Sequence, residues 1–140
     1  MNQIVKENHD RADIIKAVRQ MYVELGMEDL GEDLIDSARR AVVEINNRGV
    51  SLAKEGKLDE AIRMLTKASD ELPGNLTISL NVLQAALSQI RFAGYTTERQ
   101  YLIEQYVTRA ERINADHPKL AKLREKIALL QQEHAHEMRA

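Results

Sequence analysis

The chain has no cysteine and no tryptophan, one phenylalanine and two prolines in 140 residues. Without thiols there can be no disulfide framework and no thiolate-held zinc or iron–sulfur centre, and nothing points to an oxidising compartment. No apolar run follows a basic stretch in the opening MNQIVKENHDRADIIKAV, and nowhere do about 18 apolar residues follow one another. The expectation is a cytoplasmic chain without a membrane partner. Period-two alternation is also missing, so no strand is expected, and no low-complexity linker divides the chain. A strong excess of one charge is absent too: the net charge is −2 and the sequence pI about 6.1. A nucleic-acid reader concentrates basic residues and has a pI above about 9, so DNA and RNA are excluded as expected partners. The imbalance that exists is internal. Residues 1–75 carry 11 Lys and Arg against 15 Asp and Glu, while residues 76–140 carry 9 against 7.

What is present is a set of good helix formers (Ala, Leu, Ile, Glu, Lys and Arg) with 44% hydrophobic residues, enough for one all-α domain over 1–140. Ile14, Ile15, Val18, Met21, Tyr22 and Leu25 recur at helical spacing over 10–25, with Asp10 as a cap and Gly26 at the end. After a GMEDLG linker, the period from Leu34 to Ala53 predicts one long helix, or two nearly collinear ones, over about 31–55. Gly56-Lys57 is a turn. Leu58, Ala61, Ile62, Leu65, Ala68 and Leu72 form the next stripe, stopped by Pro73-Gly74. Leu76 to Ile90 follows as a strongly apolar helix that loses its pattern at FAGYTT. Thr97 with Gln100 resembles a capping box for the helix carrying Tyr101 to Ile113. Pro118 opens a last helix whose tail, QQEHAHEMRA, is expected to fray.

The segment Val42 to Asn75 spans 34 residues, the period of a tetratricopeptide repeat. Gly49 and Leu52 in its first helix, Gly56 before the turn, Ala61, Leu65 and Ala68 in the second helix, and Pro73 at its end match that family's small and large pattern. Gly49 and Ala61 are small where the helices cross, and Leu52 and Leu65 fill the space beside them. Arg48 departs from the pattern, standing where a large apolar residue is usual. A second, degenerate repeat reads over 76–115, with Leu83 and Ala86 at the crossing, a loop lengthened by about eight residues, and Ala115 in place of proline; leading helices over 8–41 and a capping helix with a polar tail over 116–140 complete the layout. Together with the leading AVRQMYVELGMEDLGEDLIDSARRAVVEINN, this resembles the helical C-terminal part of bacterial response regulators that contain tetratricopeptide repeats. The resemblance implies a short right-handed superhelix of antiparallel hairpins, and a receiver domain before it for which this chain has no room. Met1 begins either a fragment or a free-standing relative.

Such arrays bind an extended peptide or helix on the concave face of the first helices. The positions facing that groove and not needed by the hairpin core are Asn46, Asn47, Val50 and Lys54 in the first repeat and Asn81, Gln84 and Ser88 in the second. Asn is a poor helix-interior residue, which makes Asn46, Asn47 and Asn81 candidates for partner binding or for local hydrogen bonding. Lys54, with Arg48, is a candidate for an acidic group on a peptide. The run EDLGED, Glu28 to Asp33, reads first as acids opposing the helix macrodipole, and otherwise as a dock for a basic partner or a metal. His134 and His136 lie on opposite sides of a helix, and His9 and His117 are isolated, so no metal site is expected. No phosphate loop, nucleophile elbow or paired nucleophile and base is present, so neither cofactor nor catalysis is expected. Phe92, Tyr95, Tyr101 and Tyr106 bracket the lengthened loop of the second hairpin, as packing or as a partner-facing edge. The function expected is a non-catalytic interaction module, the output or adaptor part of a two-component signalling protein with a protein or peptide partner; the alternative is homodimerisation, pairing receiver domains or closing a two-repeat array.

Overall fold

The computed structural model describes residues 12–139 and folds them as helices joined by short connectors. Six helices follow one another: α1 (Ala12–Glu24), α2 (Glu28–Lys54), α3 (Leu58–Glu71), α4 (Leu76–Ala93), α5 (Thr97–Asn114) and α6 (Pro118–Arg139). No strand occurs among the described residues, so the all-α expectation holds. Each helix packs on its neighbour in the chain, and α2, α4 and α6 also meet one another in sequence along one side. Asp10, the expected cap of α1, and His9 lie outside the described residues.

The ends of the helices follow from local chemistry. After α2, Gly56 takes φ +82°, which only glycine adopts without strain. That lets Lys57 N donate to Leu52 O (2.9 Å) and Gly56 N to Ala53 O (3.0 Å), satisfying carbonyls that would otherwise be orphaned. The same pair of bonds closes α1, from Met27 N to Tyr22 O (2.8 Å) and from Gly26 N to Val23 O (3.0 Å). Asn75 caps α4 by accepting from Ile78 N at 3.1 Å, and Thr96 caps α5 by accepting from Arg99 N at 3.1 Å, each satisfying one free amide of a first turn.

Four sequence expectations need correction. The GMEDLG linker is largely helical, because α2 begins at Glu28 with Glu28 and Asp29 in its first turn, where acids oppose the macrodipole; of the two forms expected for 31–55, the single long helix is the one seen. The extra residues of 76–115 do not lengthen a loop. They extend α4 and α5 to 18 residues each, leaving 94–96 as the connector. The α5 cap is Thr96 rather than Thr97. The tail stays helical to Arg139, tied back by the His134 ring, which stacks on Tyr95 at 4.4 Å between centroids and 17° between planes.

The core is unevenly divided. Leu65, Leu80, Val82, Leu83, Ala86, Ile90, Ile103, Tyr106, Leu120 and Leu123 belong to one continuous cluster shared by α3 to α6. Val42, Ala68, Leu72 and Ile78 form a second beside it. A third, of Ile15, Val18, Tyr22 and Ile35, holds α1 on the first half of α2. Close helix approach is set by two glycines. A Cβ on Gly49 would stand 2.7 Å from Leu65 Cγ, and one on Gly31 would stand 2.8 Å from Tyr22 Cγ, so both crossings require the missing side chain.

A polar network crosses α3, α4 and α5. Ser69 and Ser79, both buried, lie 3.4 Å apart at their hydroxyls. Arg109 Nη1 donates to Ser69 Oγ at 2.8 Å and to Asp70 Oδ1 at 3.2 Å, while its guanidinium lies 4.9 Å from the centre of the Tyr106 ring. Burial holds the Tyr106 phenol above its ordinary pKa, with Asp70 adding to the effect and Arg109 opposing it. The two buried serine hydroxyls are thus both partnered, as buried polar groups need to be.

Candidate functional site

The side formed by α2, α4 and α6 carries two adjoining depressions. The first, of about 260 Å³, is lined by Val50, Ala53 and Lys54 from α2, Leu65 from α3, and Asn81, Gln84, Ala85 and Ser88 from α4. The second, also about 260 Å³, is lined by Thr77, Leu80, Asn81 and Gln84 from α4, by His117, and by Lys119, Lys122, Leu123 and Lys126 from α6. Asn81 and Gln84 line both, so the two form one trough with α4 along its middle.

The trough owes its shape to small and apolar side chains on its floor and its polarity to the rim. Ala53 and Ala85 leave room, while Leu65, Leu80 and Leu123 are buried beneath or beside it. Lys54 stands at one end. Lys119, Lys122 and Lys126, spaced three and four residues apart on α6, share one flank of that helix at the other end. No carboxylate lines either half, and none of these four lysines enters an ion pair among the described residues. His117 Nδ1 accepts from Lys119 N at 3.2 Å, fixing the first turn of α6. The arrangement presents amides at the centre and positive charge at both ends, and it can hold an anionic segment.

Of the seven residues singled out in the sequence, Val50, Lys54, Asn81, Gln84 and Ser88 come together here. Asn46 does not open onto the trough. It is 9% exposed, and its Oδ1 accepts from Asn81 Nδ2 at 3.1 Å, so it orients Asn81 from behind. Asn47 is exposed and lines neither half. Arg48 likewise points to solvent and is not part of the rim.

The α6 lysines and His117 were missed. The spacing of Lys119, Lys122 and Lys126 is legible in the sequence, but on a capping helix with a polar outer face such lysines read as solvated surface. Among the aromatics, Tyr22 and Tyr106 are buried and Tyr95 is stacked on His134, whereas Phe92 (84%) and Tyr101 (61%) are exposed on other surfaces. Among the described residues no cluster of His, Asp and Glu has the makings of a metal site, and no helix is long and apolar enough to cross a membrane. Comparison with known proteins finds no matching family model, curated protein or solved structure.

Proposed function

We propose that this chain is a non-catalytic interaction module of tetratricopeptide type, which receives an acidic segment of a protein partner in the trough between α2, α4 and α6 and serves as the output or adaptor part of a bacterial signalling protein. The observation that carries the binding reading is the trough itself: side-chain amides at its centre, lysines at both ends that enter no ion pair among the described residues, and no acid in its lining. Amides can bond a partner's backbone, apolar floor residues can take an alternate side chain, and the lysines supply the charge that orients the segment. Two features support the repeat reading. Gly49 makes the α2–α3 crossing tight against Leu65, and a side-chain hydrogen bond from Asn81 to Asn46 ties the two first helices together. The signalling role rests on the resemblance of the flanking sequence.

A titration of isotopically labelled protein with a leucine-containing acidic peptide, followed by NMR, tests this. Shifts should concentrate at Val50, Asn81, Gln84 and Ser88, weaken in the Lys122→Glu/Lys126→Glu variant, and vanish for the same peptide with lysine in place of its acids. Shifts spread over the surface, or unaffected by the variant, would refute the trough as the binding site.

A further inference from the structure

Building on the trough as a binding site for acidic segments, we infer that one occupant is the α1–α2 tip of a second copy of this chain, so that two copies pair reciprocally, each placing its tip in the other's trough. The tip has the required chemistry. Leu25, Met27 and Leu30 are 59%, 50% and 58% exposed, an unusual density of uncovered large apolar side chains for one turn. Glu28, Asp29 and Asp33 stand among them, and none of the three enters an ion pair among the described residues. Acidic and apolar groups are thus interleaved at one end of α2, and lysines rim an apolar-floored trough at its other end. The uneven charge along the sequence, acidic before residue 75 and basic after it, is the same complementarity seen from a distance.

The chain cannot satisfy this complementarity within itself. Tip and trough are joined by α2, an unbroken helix of 27 residues, and at about 1.5 Å per residue it holds them roughly 40 Å apart. Two copies with their α2 helices antiparallel bring each tip to the other's trough by a single two-fold operation, which closes the assembly as a dimer instead of propagating a filament. The tip is already folded and exposed, so docking needs no unfolding step.

The full chain should therefore show a mass that rises from monomer to dimer between low micromolar and near-millimolar concentration in sedimentation velocity. It should revert to monomer in about 1 M salt, where charges are screened beyond about 3 Å. Glu28→Lys/Asp29→Lys and, separately, Lys122→Glu/Lys126→Glu should each weaken self-association by at least about tenfold, since like charges then face one another, with helical circular dichroism unchanged. Mixed, the two variants should form a heterodimer, because in that pair the basic tip meets the acidic trough and the acidic tip meets the basic trough. A wild-type chain that stays monomeric throughout, a reversed variant that dimerises as well as wild type, or a mixture that stays monomeric overturns the pairing. The trough reading is judged apart from it: if the chain is monomeric and an unrelated acidic peptide still shifts Asn81 and Gln84, only the self-pairing falls, and if the peptide also leaves them unmoved, both fall.

Discussion

The two ends of the described chain solve the same packing problem with unequal means. At the C-terminal end, α3 to α6 share a continuous cluster in which Leu65, Val82, Leu83, Ala86, Ala110 and Leu120 are almost wholly buried, and a polar network through Arg109 joins three of the helices. At the N-terminal end, α1 rests on the first half of α2 through Ile15, Val18, Tyr22 and Ile35, assisted by a half-exposed Arg19–Glu32 ion pair at 2.6 Å, which solvent screens. Local opening is least costly where few apolar contacts must be broken. The difference teaches that the first half of α2 is an arm attached to a core, and that the arm's tip gathers exposed apolar side chains, Leu25, Met27 and Leu30, within six residues.

Deleting buried methyl groups on each side is the strongest way to break that comparison. Leu83→Ala removes a fully buried side chain from the shared cluster and should cost about 3 kcal/mol in urea unfolding, lowering the single main transition. Ile35→Ala removes a side chain equally buried, yet its effect should fall on the arm: hydrogen-exchange protection should drop across residues 13–35, while the main midpoint moves less than half as far. Equal shifts of the main transition would mean that arm and core unfold as one unit.

Glycine substitutions sharpen the same contrast with a smaller effect. In an ordinary helix interior, Gly→Ala gains roughly 0.5–1 kcal/mol. Gly49→Ala should instead destabilise by about 1–3 kcal/mol, because its Cβ would meet the branch carbon of Leu65 at 2.7 Å in a place fixed by α3 and α4. Gly31→Ala meets Tyr22 ring atoms at 2.8–2.9 Å, but there α1 can swing outward. The expected cost is about 1 kcal/mol or less, visible as lost protection in α1. If Gly31→Ala proved the costlier of the two in thermal unfolding, the arm would be the more rigid region.

The core was more legible in the sequence than the site. Gly49, Ala61, Leu65, Ala68 and Pro73 read correctly because crossing, filling and stopping a helix are local demands that single residue types satisfy. The all-α class followed from periodicity for the same reason. The start of α2 was misjudged because Gly26, Gly31 and four acids within a few residues look like a linker, whereas Gly31 is spent on contact with Tyr22, which no sequence window shows. The extra residues of the second hairpin were placed in a loop because α4 and α5 exceed the repeat's usual length. The trough was half legible: α2 and α4 supplied their share by analogy of position, but the α6 lysines join it only through packing of a helix that sequence reading treated as a lid.

The asparagine pair gives effects no larger than the Gly49 change and bears on how core and site are joined. Asn46 and Asn81 are both groove candidates by sequence, and the structure makes them unequal: Asn46 is buried behind the trough, while Asn81 is half-buried and lines it. Removing the exposed partner leaves a buried acceptor without its donor, and removing the buried one leaves a donor that water can reach. Asn81→Ala should therefore cost about 1–2 kcal/mol and Asn46→Ala about 0.5–1 kcal/mol, measured by urea unfolding. In the peptide titration the order changes meaning. Asn46→Ala leaves the trough lining chemically intact but frees the Asn81 side chain, so weakened peptide binding in that variant would show that the buried residue acts by orienting the exposed one. Binding unchanged in Asn46→Ala would confine the role of Asn46 to the fold.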